Sequence, residues 1–148
     1  NKIENKNIDL VITGNKLWNN KEEMQLIKNN PKIKLLGLVP ESDLVPLYNS
    51  ALFYIYPSLY EGFGLPILEA QSCACPVISS NVSSLPEIAN NSALLIDPLS
   101  ENEITNAMNK LLNNKELRNS LIKNGFDNVN NFSWDKAAKE TLEVVRNA

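Results

Sequence analysis

The chain has 148 residues, 14 basic against 17 acidic, a net charge of −3 and no histidine. That length suits one domain with a sizeable core, and the acidic balance without any Lys/Arg cluster argues against a nucleic-acid partner. No apolar stretch reaches the roughly 18–20 residues of a membrane span, and no signal-peptide pattern opens the chain.

Apolar runs alternate with helical patterns. Residues 8–13 read as a buried strand, 21–29 as a short helix, and 33–36 as a strand stopped by Gly37. A helix over 42–50 puts Leu44, Leu47 and Tyr48 on one face, and a strand follows at 52–56. Residues 65–73 form a helix, 76–79 a strand, 85–89 a single helical turn and 93–96 a last strand. The tail is helical. A helix over 101–112 buries Ile104, Ala107, Met108, Leu111 and Leu112, and one over 115–129 buries Leu117, Leu121, Ile122 and Val129. Ser133 suits the N-cap of a final helix that buries Trp134, Ala137, Ala138, Thr141, Leu142 and Val145. With Asn1 first and an apolar strand almost at once, the sequence reads as a fragment of a longer protein.

Short apolar strands separated by helices imply an α/β fold, a doubly wound parallel sheet with helices on both faces and a helical C-terminal tail. In such a sheet ligands bind off the carboxyl ends of the strands. Gly14 and segments 38–41, 57–64, 79–84 and Asp97 converge on that edge. Cys73 and Cys75 are too close for an unstrained disulfide, and without histidine they do not complete a zinc site unless carboxylates join them. They read as small buried residues where a helix passes into a strand.

Segment 57–69, Pro-Ser-Leu-Tyr-Glu-Gly-Phe-Gly-Leu-Pro-Ile-Leu-Glu, carries the chemistry. It runs from a strand through a glycine-containing turn into a helix, with Gly64 at the N-cap and Pro66 in the first turn, where no amide is missed. The free amides of that turn and the helix's partial positive charge suit a phosphate. Gly62 and Gly64 let the backbone approach a diphosphate. Glu69, in the second turn, leans back toward this site and can accept hydrogen bonds from a vicinal diol such as a ribose. Glu61 lies on the other side, where the sugar of a nucleotide sugar would sit. On spacing alone, two solvated glutamates beside a plain strand-to-helix turn fit equally well. The segment is neither a Gly-x-Gly-x-x-Gly fingerprint nor a P-loop.

Glu-x7-Glu within Pro-Ser-Leu-Tyr-Glu-Gly-Phe-Gly-Leu-Pro-x-x-Glu-Ala resembles the signature of retaining, nucleotide-sugar-dependent glycosyltransferases of the GT-B fold, glycosyltransferase family 4 or "group 1". The likeness extends through Leu10-Val-Ile-Thr-Gly14, Leu36-Gly-Leu-Val39, Leu47-Tyr-Asn-Ser-Ala51, Cys75-Pro-Val-Ile-Ser-Ser-Asn81, Ser84-Leu-Pro-Glu87, Leu95-Ile-Asp-Pro98 and Phe132-Ser-Trp134. It implies the donor-binding C-terminal half of such an enzyme, without its first strand-helix unit and without the N-terminal acceptor domain.

The resemblance implies that Glu69 binds the ribose, that Glu61 contacts the transferred sugar as the catalytic residue, and that Gly62, Phe63, Gly64 and Leu65 hold the diphosphate. Gly14 belongs to the donor site, and Val39 and Glu41 lie near the base. Val39 reads equally as a core residue. Ser83, Ser84 and Glu87 would line the inter-domain side, although Ser83 and Ser84 read more simply as caps of the short helical turn. The family's Arg/Lys phosphate clamp is absent. Lys2 and Lys6 precede the first strand without the required pattern, and Lys16 stands in the wrong place.

The implied partners are a nucleoside diphosphate sugar and a glycan or lipid-linked acceptor, with no metal or cofactor. The implied setting is the cytoplasm, and peripheral association of the intact protein at the inner membrane face is compatible with it. The fragment by itself would be inactive. The alternatives are a non-catalytic nucleotide-binding module and a signalling receiver, which would need an acidic cluster at the first strand's end.

Overall fold

The computed structural model describes residue 3, residues 7–14 and residues 21–147. The elements run β1 (Leu10–Thr13), α1 (Lys21–Asn29), β2 (Ile33–Gly37), α2 (Glu41–Ser50), β3 (Tyr54–Tyr56), α3 (Leu65–Ser72) and β4 (Val77–Ser80). They continue with α4 (Leu85–Ala89), β5 (Ala93–Ile96), α5 (Glu101–Asn113), α6 (Lys115–Val129) and α7 (Trp134–Asn147). This is the Rossmann-like, doubly wound α/β arrangement that the alternating pattern implies. β1 and β3 are each two residues shorter than their apolar runs, because Ile8, Asp9, Leu52 and Phe53 make no ladder pairs.

Every strand pair is parallel, but the described strands form two sheets where one was expected. In the first, Leu10 of β1 lies beside Ile33 of β2. In the second, Tyr54 of β3, Val77 of β4 and Ala93 of β5 stand in register. β1 and β3 each keep one unpaired edge among the described residues. That changes the reading of β1 as buried: Leu10 is 42% and Val11 45% exposed.

β4 is the centre of the fold, and all four of its residues are buried. Side chains alternate along a strand. Val77 therefore joins Ile67, Leu68, Ala70, Leu85, Ile88 and Ala89 on the α3/α4 face. Ile78 joins Ile96, Ala107, Leu111 and Leu121 on the α5/α6 face. Burying each of these larger aliphatic side chains contributes about 1.5–3 kcal/mol.

A polar cluster is sealed inside the first of these cores. Gln71 donates to Ser92 Oγ at 2.7 Å, and Asn128 donates to Gln71 Oε1 and to the Ile88 carbonyl, both at 2.9 Å. These bonds tie α3 to α4 and α6. Gly125 keeps α6 close, since a Cβ there would sit 3.1 Å from Gln71 Cγ.

The helical tail begins its elements as the sequence implies. Ser100 Oγ, Asn114 Oδ1 and Ser133 Oγ accept from the amides of Glu103, Leu117 and Lys136 at 3.2, 2.8 and 3.1 Å. Its burial differs from the expectation. In α5 only Ala107 and Leu111 are fully buried. In α6, Gly125 and Asn128 join Leu121 inside, while Leu117, Ile122 and Val129 are half-buried. In α7 no residue is buried, and Trp134 is 81% exposed. Helical spacing reveals an apolar stripe but not what covers it, and no described element covers the stripe of α7. No described helix is long and apolar enough to cross a membrane.

Candidate functional site

Segment 57–64 leaves the carboxyl end of β3, and α3 begins behind it. Gly64 caps α3 with φ 116° and ψ 38°, a conformation that costs an L residue heavily. A Cβ at Gly64 would lie 2.8 Å from Leu85 Cδ2, so the turn sits directly on the core. At Gly62 the same Cβ would meet open space, so only the second glycine is sterically required. Pro66 occupies the first turn of α3. Among the described residues, the amides of Gly62, Phe63, Gly64 and Leu65 donate no hydrogen bond. They form a row of free donors at a helix N-terminus.

Glu61 is half-buried in this loop and tethered at both ends. Its Oε1 accepts from Tyr56 Oη at 2.6 Å and from Ser58 Oγ at 2.8 Å. Its amide donates to Ser83 Oγ at 3.2 Å, and Ser83 Oγ donates back to the Glu61 carbonyl at 2.7 Å. Ser84 Oγ shares its proton between the carbonyls of Glu61, at 3.0 Å, and Phe63, at 2.8 Å. Ser83 holds φ 59°, uncommon for a residue other than glycine, asparagine or aspartate. The capping reading of Ser84 is corrected here: its side chain makes no cap bond to α4 and braces the glycine loop instead.

Glu69 projects from the second turn of α3 and accepts from Tyr48 Oη at 3.3 Å. Tyr48, Tyr54 and Tyr56 form a row. The first two meet edge-on with centroids 5.2 Å apart, and the second two stack at 5.8 Å. Glu69 stands at the Tyr48 end and Glu61 at the Tyr56 end, so both carboxylates border one tyrosine-floored surface. The alternation of Tyr54 and Tyr56 on β3 places them on a single face, a signal already visible in the sequence.

The remaining candidates are more scattered. Gly14 has φ 122°, and its amide is engaged with the Gly37 carbonyl at 2.9 Å. Val39 is half-buried and Glu41 exposed, at the entrance to α2. Neither makes a hydrogen bond to loop 57–64 among the described residues, and α2 reaches the site through Tyr48. Glu87 is exposed in α4. Lys2, Lys6 and Lys16 lie outside the described residues.

Burial raises the pKa of all three tyrosines, and the neighbouring carboxylates add to the effect. Tyr54 is pushed up to about 12, chiefly by burial, with its hydrogen bond to Tyr48 opposing the shift and the charges of Glu69 and Glu61 adding to it. Burial likewise pushes the Cys75 thiol up to about 12, and both cysteines remain free thiols. These folded values exceed the unfolded ones, so the associated stability is intact below the ordinary values. It is lost as pH rises, because the unfolded chain ionises first. Denaturation midpoints are therefore expected to fall steadily as pH climbs from the ordinary phenol value of 10.0 toward about 12. A flat midpoint across that window would contradict the tyrosine row.

Parallel strands layered between helices, with a free-amide turn at their carboxyl edge, are the architecture found in GT-B glycosyltransferases. The chain belongs to the family "Glycosyl transferases group 1", whose model matches residues 1–128. It is 36% identical over 140 residues to the O-antigen chain mannosyltransferase B of Escherichia coli, covering 93% of this chain and 37% of that protein. It is 32% identical over 146 residues to the MMP alpha-(1->4)-mannosyltransferase of Mycolicibacterium hassiacum, covering 85% of this chain and 36% of that one. The chain thus spans little more than a third of these relatives. Its fold matches sucrose-phosphate synthase from Thermosynechococcus elongatus with TM-score 0.80 at 26% identity, covering 94% of this chain and 38% of that one. It matches Anabaena HepE, solved with UDP-glucose, with TM-score 0.83 at 19% identity, covering 97% and 42%.

Proposed function

We propose that the chain is the donor-binding half of a metal-independent, retaining hexosyltransferase that uses a nucleoside diphosphate sugar. The observation that carries this reading is the row of free amides at residues 62–65 between Glu61 and Glu69. The diphosphate sits on these amides and on the positive end of α3, which stabilise the charge that grows on the leaving group. Glu69 accepts hydrogen bonds from the ribose hydroxyls. Glu61, across the amide row, faces the transferred sugar. Val39 and Glu41 approach the base, and Gly14 shapes the donor edge.

The acceptor, a glycan or lipid-linked saccharide, is held by an N-terminal domain outside this sequence, and the cationic clamp for the diphosphate belongs to the first strand-helix unit of the donor domain itself. The unpaired edges of β1 and β3 support a missing first strand-helix unit. A doubly wound sheet of order 3-2-1-4-5-6 places its first strand between its second and fourth, and here those are β1 and β3. The intact enzyme works in the cytoplasm at the inner membrane face. The mannosyltransferase relatives make GDP-mannose the first probe, and the UDP-glucose complex of HepE makes UDP-glucose the second.

Isothermal calorimetry of the chain with GDP-mannose, UDP-glucose and an ADP sugar tests the reading. Binding of one of these donors is expected, with transfer only when the acceptor domain is present. The absence of binding to all of them, in the chain and in the full-length protein, would overturn it.

A further inference from the structure

Glu61 is held through both its side chain and its backbone. Two hydroxyls, Tyr56 Oη at 2.6 Å and Ser58 Oγ at 2.8 Å, converge on its Oε1. Each carboxylate oxygen offers about two lone-pair sites, so Oε1 is filled. No described residue donates to Oε2. Ser83 meanwhile fixes the Glu61 backbone through both its amide and its carbonyl. The side chain is therefore pinned from the backbone end and from one face of its carboxylate. The two donors are themselves anchored. Tyr56 is stacked on Tyr54 within β3, and Ser58 follows it in the chain by two residues.

We propose that Tyr56 and Ser58 are positioning residues: by occupying Oε1 they fix the Glu61 carboxylate so that Oε2 alone is presented to the hydroxyls of the transferred sugar. Charge-assisted hydrogen bonds of this length are the strong ones. A carboxylate that is already oriented loses little freedom when it accepts from a ligand. Charge repulsion keeps Glu61 off the diphosphate, so its role concerns the sugar and not the nucleotide. The proposal rests on the donor-binding reading above and deepens it by naming what sets the sugar contact.

The test has two arms. Without ligand, three-bond NMR couplings report the Glu61 side-chain rotamers in the wild-type chain, Tyr56→Phe, Ser58→Ala and the double variant. One rotamer is expected in the wild type and averaged rotamers in the double variant. A single unchanged rotamer in the double variant overturns the proposal, whatever the chain binds. With ligand, calorimetry compares GDP-mannose with GDP, and UDP-glucose with UDP. Each single variant is expected to lose about tenfold in affinity for the sugar-bearing donor, with the plain diphosphate unchanged. Ser58→Thr, which keeps the hydroxyl, is expected to bind as the wild type does. Equal losses for donor and diphosphate would mean that the hydroxyls merely support the loop, and would also overturn the proposal. Failure of the wild-type protein to bind any donor would remove the functional reading alone, and the rotamer arm would still decide the positioning role.

Discussion

Glu69→Ala is expected to weaken donor binding about 100-fold while leaving the fold intact. Two hydroxyls of a ribose donating to one carboxylate form charged hydrogen bonds of about 1.5–3 kcal/mol each. The lower figure applies to each bond because Glu69 is exposed and its charge is partly screened by water. Their sum corresponds to about two orders of magnitude in affinity. The side chain contributes little to stability. Its hydrogen bond to Tyr48 is 3.3 Å long and lies at the surface. A surface change of this kind stays within about 0.5 kcal/mol. Glu69→Gln, which keeps one oxygen acceptor and loses the charge, should fall between the two. Calorimetry with GDP-mannose or UDP-glucose reads the affinity, and thermal denaturation reads the fold. Unchanged affinity in Glu69→Ala would remove the ribose assignment.

Gly64→Ala is expected to have the largest effect on stability, about 3 kcal/mol, from two independent causes. The backbone at φ 116° disfavours any Cβ by about 1–2 kcal/mol. The added methyl would also stand 2.8 Å from Leu85 Cδ2, and overpacking of a filled core costs about 1–3 kcal/mol. Leu85 is fully buried among Ile67, Ile88 and Val77, so it has no free direction in which to swing. The loop must shift instead, carrying the Phe63 and Leu65 amides with it, and donor binding should fall as well. Gly62→Ala is the internal control. Its backbone is not left-handed and a Cβ there touches nothing, so its denaturation midpoint should match the wild type. If both alanine variants were equally stable, the turn would not rest on the core as described.

The glycine pair shows how far a motif can be read without coordinates. Gly-Phe-Gly after an apolar run and before a proline marks a strand-to-helix turn, and that turn is where the sequence places it. Which glycine is sterically necessary depends on Leu85, twenty-one residues further along the chain. The carboxylates behave similarly. Eight-residue spacing across a helix start puts Glu61 and Glu69 on either side of the free amides. Their hydroxyl partners come from α2, β3, loop 57–64 itself and the loop before α4, and only Tyr56 and Ser58 are close in sequence. Gln71 and Asn128, polar positions that helical spacing does not mark as core, are buried and bonded across fifty-seven residues.

By itself the sequence determined the order and kind of the elements, the Ser133 cap of the last helix and the turn that carries the acidic pair. These follow from period, turn chemistry and local hydrogen bonding, which act over a few residues. The tertiary structure alone decided which strands pair, which apolar faces are covered, and which hydroxyls hold Glu61 and Glu69. Apolar spacing states that a face seeks cover but carries no address for the surface that supplies it. That is why β1 and α7, patterned like core elements, are exposed here, whereas the four residues of β4 are closed in on both sides.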